Sequence, residues 1–180
     1  MPLAHFFLRE RLRSGDVAVD ATCGNGQDTL LLARLVGARG RVWGFDVQAS
    51  AIAATHALLE VHGVSSCVEL IHGGHERLAQ FVPPGVRAVV FNLGYLPGSE
   101  TPLTTTPENT IAALGQAAEL LARGGFILIC VYTGHEGGPE EAEAVEEWCR
   151  ALSPKLFNAW SSRQLNRPAV APYLVVVEKV

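Results

Sequence analysis

Three features that would mark a membrane, metal-binding or nucleic-acid-coating protein are missing from this 180-residue chain. No stretch approaches the roughly 18 apolar residues of a membrane helix. The four cysteines include no C-x-x-C pair and no histidine at metal-ligand spacing, so we expect reduced, mostly buried thiols and no metal site. The net charge of −4 argues against nucleic-acid binding over the whole surface.

The order of residues near the N-terminus is wrong for a secretory signal. A short apolar run comes first, and the arginines at positions 9, 11 and 13 follow it instead of preceding it. We therefore expect a cytoplasmic protein with no membrane partner.

Length and patterning predict one α/β domain over residues 1–180. A chain that is 48% hydrophobic can fill one core and is too short for two comfortable domains. Alternating apolar and amphipathic segments predict strands at 17–21, 41–46, 67–71, 88–93, 126–132, 155–161 and 173–180. They predict helices at 2–13 (a cap helix), 27–36, 50–62, 75–81, 106–121 and 139–152. This order favours a Rossmann-like, seven-stranded, mostly parallel sheet whose last strand is antiparallel and closes a hairpin.

The turn after the first predicted strand carries the strongest chemical signal. Gly24 and Gly26 let the backbone turn sharply and approach a ligand at a helix N-terminus. Asp46 ends the second predicted strand, 20 residues after Gly26, where an acid can hold both hydroxyls of a ribose. An adenosine-type cofactor fits this pair of features.

The same turn favours S-adenosylmethionine (SAM) over a dinucleotide. Thr29 stands where a dinucleotide fingerprint would have its third glycine, and Asp20 and Asp28 would repel a pyrophosphate. These acids can instead attract the cationic sulfonium or amino group of SAM. The alternative is that both aspartates only cap the turn and the helix.

A second chemical signal follows the fourth predicted strand. Asn92 and Tyr95 stand at the carboxyl edge of a central strand, where a substrate should meet the methyl group. The irregular stretch 94–105 is long for a compact domain, and such loops usually carry function.

Several strings of residues identify a family when they are taken together. They are residues 20–29, 44–48, 75–76, 91–98, 132–138 and 166–168, of which NLGYLPG (92–98) and YTGHEGG (132–138) are the most particular. With them, the chain resembles the YtqB-like rRNA methylase family of class I methyltransferases, members of which act as tRNA 5-aminomethyl-2-thiouridine methyltransferases. Ser99 replaces a glycine that the family often has before the acid at position 100.

The resemblance implies methyl transfer from SAM to the primary amine of a 5-aminomethyl group on the wobble uridine, in the anticodon stem-loop of tRNA. The cofactor-binding residues that we expect are Asp20, Cys23, Gly24, Asn25, Gly26, Asp28, Asp46, Gln48, His75 and Glu76. An amine must be neutral to attack, so we expect Asn92 and Tyr95 to orient it and His135 to accept its proton. His135 could equally serve only to hydrogen-bond the backbone of its glycine-rich loop. His5, His56, His62 and His72 have no such setting and are assigned no role.

Other functions stay open on the residues alone. The acceptor can be rRNA or a small molecule, and a SAM-binding or RNA-binding module without turnover is possible. A nicotinamide-dependent oxidoreductase is disfavoured, because its third glycine and hydride-transfer residues are missing. RNA contact would need the cluster Arg9, Arg11, Arg13, Arg163 and Arg167, although arginines on a helix usually form only a solvated face. A homodimer is expected for so small a domain acting on a large RNA.

Overall fold

The computed structural model describes residues 2–94 and 104–180, which form a sheet covered by helices on both faces. The helices of these residues are α1 (Pro2–Arg11), α2 (Gln27–Val36), α3 (Ala49–Val61), α4 (Pro107–Leu120) and α5 (Gly138–Ala151). The strands are β1 (Val17–Asp20), β2 (Arg41–Asp46), β3 (Val68–His72), β4 (Val86–Asn92), β5 (Leu121–Val131), β6 (Phe157–Ser162) and β7 (Tyr173–Lys179). Short 3₁₀ helices span Ser65–Cys67 and His75–Gln80.

The strand order is β3-β2-β1-β4-β5-β7-β6. Strands β1 to β5 pair in parallel, and β7 runs antiparallel to both β5 and β6. This confirms the predicted seven-stranded, mostly parallel sheet and its closing hairpin. The order reverses at β1, which lies between β2 and β4, and such a reversal opens a crevice at the carboxyl ends of the strands.

Successive residues of the central strands pack into two separate cores, one on each face, because side chains alternate between the faces of a sheet. On β4, Val89 packs with Leu114 of α4 and Val145 of α5. The next residue, Val90, packs on the opposite face, in the cluster that contains Leu32 of α2. Helices α1, α2 and α3 therefore cover one face, and α4 and α5 cover the other.

Strand β5 begins five residues earlier than predicted. Leu121 already pairs with Val86 of β4, and the register then shifts between Val86 and Ala88. A Cβ on Gly125 would lie 2.8 Å from the carbonyl oxygen of Val86, so only a glycine lets the strands stay this close through the irregularity. Gly124 and Gly125, which follow the predicted end of the preceding helix, are thus part of a strand, and α4 ends at Leu120.

The start of helix α4 agrees with the prediction from the sequence. Helix α4 begins as expected, with the Thr106 side chain accepting a hydrogen bond from the Asn109 N–H and Pro107 in the first turn.

The four cysteines are free thiols, and all except Cys149 are buried, as predicted. Within residues 2–94 and 104–180, no helix is both long and apolar enough to cross a membrane.

Two glycine-to-alanine substitutions should have opposite effects on stability. A Cβ at Gly44 of β2 would lie 2.6 Å from the Cys23 Sγ and 2.8 Å from a Leu70 methyl carbon, so Gly44→Ala should cost about 1–3 kcal/mol. In α4, a Cβ at Gly115 meets no described atom within 4 Å, so Gly115→Ala should add about 0.5–1 kcal/mol. Urea unfolding followed by circular dichroism measures both. Equal shifts in one direction would contradict this packing.

Candidate active site

A cavity of about 600 Å³ opens at the carboxyl ends of β1, β2, β4 and β5. Of the residues predicted for the site, those that line it are Cys23, Gly24, Asn25, Asp28, Asp46, Gln48, His75, Glu76, Asn92 and His135. They come from segments up to 112 positions apart in the chain, between Cys23 and His135. The fold therefore brings the predicted cofactor and acceptor residues around one space.

Of the predicted site residues that the structure describes, two do not line the cavity. Asp20 is fully buried beneath the turn. Gly26 has a φ of 78° at the start of α2, and a Cβ there would lie 2.8 Å from the Thr55 hydroxyl oxygen, so close packing against α3 accounts for this glycine. Tyr95 lies outside the described residues.

Asp46 joins the end of β2 to the turn after β1. Its Oδ2 accepts a hydrogen bond from the Gly24 N–H at 2.9 Å, and its Oδ1 accepts one from the Gln48 N–H at 2.9 Å. Gly24 has a φ of 51°, in the region that favours glycine, so the chain can turn sharply directly after this N–H. The Thr55 hydroxyl donates to the Gly24 carbonyl at 3.1 Å and holds the other side of the turn.

Asp28 is the meeting point of three elements. Its Oδ2 accepts from the Asn92 Nδ2 at 2.8 Å, and its Oδ1 lies 2.6 Å from the His5 Nε2. The Asn92 backbone N–H donates to the Thr22 hydroxyl at 2.8 Å. Sequence analysis missed His5, since nothing in the chain connects a histidine on the N-terminal helix with an aspartate 23 residues later.

His75 lines the cavity and has a buried hydrogen-bond acceptor without a partner among the described residues. The His75 side chain is buried, and burial lowers its pKa, so the ring is neutral near pH 7. Its Nδ1 lies 3.1 Å from the Ala21 carbonyl oxygen, which can only accept, so the hydrogen is on Nδ1. The buried Nε2 has no partner among the described residues and therefore carries a free lone pair.

His135 is enclosed by the backbone of two segments. A Cβ on either Gly94 or Gly138 would lie 3.1 Å from the His135 Nε2, so both glycines leave room for the ring. Its Nδ1 lies 2.9 Å from the Glu136 carbonyl oxygen. His135 thus combines the backbone contact that we considered as an alternative with a place at the cavity.

Glu141 of α5 holds the segment that follows β4 through Thr105, which in turn bonds Gly94. Sequence analysis missed Glu141. This buried carboxylate accepts from the Thr105 hydroxyl at 2.7 Å and from the Thr110 hydroxyl at 2.6 Å. The Thr105 hydroxyl also accepts from the Gly94 N–H at 2.9 Å, and the Gly94 carbonyl accepts from the Thr105 N–H at 3.0 Å. An acid on an amphipathic helix looks like part of a solvated face, and only the packing of α4 against α5 buries it.

The aspartate beneath the turn is electrostatically unusual. Asp20 accepts from the Thr29 hydroxyl at 2.6 Å and from the Thr22 N–H at 3.2 Å, but no cation accompanies it among its contacts in the described structure. Burial, and then the nearby Asp28, raises the pKa of the Asp20 carboxyl to about 7. Asp20 therefore lies beneath the turn, with no exposed surface in the cavity.

Comparison with known proteins gives consistent matches. The model of the family described as "Putative rRNA methylase" matches residues 42–178. A chloroplastic tRNA (mnm(5)s(2)U34)-methyltransferase of Arabidopsis thaliana is 39% identical over 98% of this chain and 68% of its own length.

Two solved structures are similar over almost the whole chain. The crystal structure of a "putative rRNA-methylase" from Clostridium thermocellum has a TM-score of 0.96 and 42% identity, covering 99% of this chain and 96% of that one. A "putative methyltransferase" from Streptococcus mutans, crystallised in complex with S-adenosylhomocysteine (SAH), has a TM-score of 0.90 and 36% identity, covering 99% and 97%.

The buried Asp20 should make stability depend on pH. With a pKa of 3.8 in the unfolded chain and about 7 in the fold, the folded state holds the extra proton between these values, so its contribution to stability falls as pH rises from about 4 to 7. Asp20→Asn removes this contribution, so the variant should gain stability relative to the wild type across that interval. Urea unfolding at several pH values measures the difference, with Glu143→Gln on the exposed side of α5 as the control. Parallel curves for wild type and Asp20→Asn would contradict the raised pKa.

Proposed function

The chain belongs to the rRNA methylase family, and from that premise we propose that it is a SAM-dependent methyltransferase that methylates the primary amine of a 5-aminomethyl group on the wobble (thio)uridine of tRNA. The observation that carries the proposal is the cavity, in which Gly24 of the turn after β1 and Asp46 at the end of β2 share one space with Asn92 at the end of β4. The Arabidopsis relative, a tRNA methyltransferase, supports the choice of acceptor, and the SAH complex of the Streptococcus relative supports the choice of cofactor.

The nucleoside end of SAM fits the residues at the carboxyl ends of β2 and β3. Asp46 is held in place by two backbone N–H groups, and its two oxygens retain lone pairs that can accept from the ribose hydroxyls. Gln48 lies beside it on the cavity wall. The free Nε2 lone pair of His75 is a buried acceptor that an adenine amino group can satisfy, with Glu76 next to it.

The methionine end fits the turn after β1. Cys23, Gly24 and Asn25 line the cavity there, and Asp28 adds a carboxylate that attracts a cationic group. When bound, SAM supplies an electrophilic methyl group on its sulfonium. In this arrangement Asp28 also touches Asn92, so the cofactor side and the acceptor side share one carboxylate.

The acceptor side must orient an amine and take up a proton. An alkyl ammonium cannot attack, so one proton leaves before the nitrogen lone pair reaches the methyl carbon. Asn92 has its Nδ2 committed to Asp28, which leaves its Oδ1 to accept an amine N–H. His135, at the cavity wall between Gly94 and Gly138, is the proposed proton acceptor, and Tyr95 is proposed to orient the acceptor with Asn92.

Contact with tRNA would rest on fewer arginines than the sequence suggested. Arg11 forms an ion pair with Glu178, and Arg163 forms one with Glu146. The exposed Arg9, Arg13 and Arg167 are the members of the cluster that we propose to contact phosphates. We further propose that the 180 residues act as one domain in the cytoplasm, and a homodimer stays a prediction.

Ribosomal RNA is the second candidate acceptor, because the description of the family points to it. The two acceptors differ in the nucleoside that gains a methyl group. Hydrolysis of the RNA to nucleosides after the reaction therefore separates them directly.

The proposed reaction is tested by supplying labelled SAM and total tRNA that lacks the terminal wobble methylation. Nucleoside mass spectrometry should detect 5-methylaminomethyl-2-thiouridine. Asp46→Ala should weaken SAM binding by about 100-fold or more, because each of two hydrogen bonds to a charged group contributes about 1.5–3 kcal/mol and 1.4 kcal/mol is tenfold. Glu60→Ala, which removes an equal charge from the exposed side of α3, should bind SAM normally in calorimetry.

The outcomes separate the candidates. Methyl transfer to rRNA and not to tRNA would replace the first proposal with the second. SAM binding without transfer to either RNA would direct the search to small amines or to a non-catalytic module. Failure to bind SAM would overturn the methyltransferase proposal itself.

A further inference from the structure

We propose that His5 is a positioning residue of this active site, which holds Asp28 and, through Asp28, holds the Asn92 amide with its oxygen toward the acceptor amine. The effect on catalysis rests on the proposed methyl transfer. The contacts from His5 through Asp28 to Asn92 do not depend on that reaction, because they are features of the fold.

The contact is short and sits at the edge of the cavity. The His5 Nε2 lies 2.6 Å from the Asp28 Oδ1, and the two side chains are 36% and 16% exposed. Ala4 and Leu8, on either side of His5 along α1, are buried in the core that includes α2. Helix α1 is thus anchored by its own apolar residues, so the His5 contact is not needed to dock the helix.

The chemistry of the three side chains determines the direction of each hydrogen bond. An ionised carboxylate can only accept, so the His5 Nε2 carries a hydrogen and donates it to Asp28 Oδ1. The other oxygen, Oδ2, accepts from the Asn92 Nδ2 at 2.8 Å. An asparagine amide that donates its nitrogen to one side presents its oxygen to the other, which is the group that an amine N–H requires.

Removing His5 frees the carboxylate. The terminal torsions of aspartate and asparagine are broad, so a carboxylate that has lost one of two donors can turn. Asn92 would then no longer be held with its oxygen toward the acceptor, although its backbone stays tied to Thr22. Loss of orientation at a reacting nitrogen slows the chemical step, since a small misplacement can cost about 100-fold.

The test combines activity with a readout that needs no activity. His5→Ala should lower kcat for tRNA methylation by about 10- to 100-fold. His5→Gln, whose Nε2 can occupy the place of the imidazole donor, should recover most of that loss. His56→Ala, on the exposed side of α3, is the matched control and should be unchanged. If His5→Ala fails to fold, His5→Leu removes the donor while keeping apolar bulk.

A double variant distinguishes positioning from general structure. If His5 acts through Asn92, the kcat of the variant with both His5→Ala and Asn92→Ala should equal that of Asn92→Ala alone. Multiplying losses, or no recovery in His5→Gln, would mean that His5 only supports α1, and either would overturn the proposal. A kcat within twofold of wild type for His5→Ala would overturn it too.

The second readout is the Asn92 side-chain amide signal in a ¹H–¹⁵N spectrum of the protein without substrate, assigned by its loss in Asn92→Ala. It should shift in His5→Ala, return toward its wild-type position in His5→Gln and stay in place in His56→Ala. An unmoved signal in His5→Ala would overturn the contact chain. Because this measurement needs no methyl transfer, it still decides about His5 if wild-type protein proves inactive on tRNA.

Discussion

Parallel strands end at the same edge of a sheet, and in this sheet their order reverses at β1, so the loops after β1 and β4 leave toward opposite sides. The cavity lies in the crevice between these two loops, and its lining side chains surround this space. Because β1, β2 and β4 each contribute apolar side chains to the cores on both faces, this edge is held rigidly by packing on two faces. The site depends on this constraint, since its polar groups lie at the ends of strands that cannot move independently.

Buried polar groups then tie the loops to that rigid edge. Asp46 binds the turn after β1 to the end of β2. Glu141 of α5 binds Thr110 of α4 and Thr105, and Thr105 in turn binds Gly94 after β4. Each carboxylate is surrounded by N–H or hydroxyl donors, which offsets the cost of taking it out of water. Asp20 differs from them, because its complete burial and then the nearby Asp28 raise its pKa, although the Thr29 hydroxyl and the Thr22 N–H donate to it.

One buried acceptor at the cavity differs from these carboxylates. The His75 Nε2 is buried without a partner in the described structure, and His75 lines the cavity beside Glu76. An unpaired buried acceptor costs free energy in the isolated protein. A ligand that donates a hydrogen bond there recovers that cost, so the proposed adenine contact and the observed orphan support each other. The Asp28 carboxylate, by contrast, has partners on both oxygens, His5 and Asn92. Because His5 lies on α1, this contact makes α1 part of the site.

What the sequence by itself determined is local. The alternation of strands and helices, the glycine turn before α2, the acid at the end of β2 and the Thr106 cap of α4 each arise from residues near one another in the chain, so periodicity and turn chemistry predict them. What only the tertiary structure decided is long-range. The contact of His5 with Asp28, the burial of Glu141 against Thr105 and Thr110, and the position of Asp20 below the turn instead of in the cavity all depend on how separate elements pack. Hydrogen bonds between distant residues follow from the relative placement of whole helices and strands, and no local pattern encodes that placement.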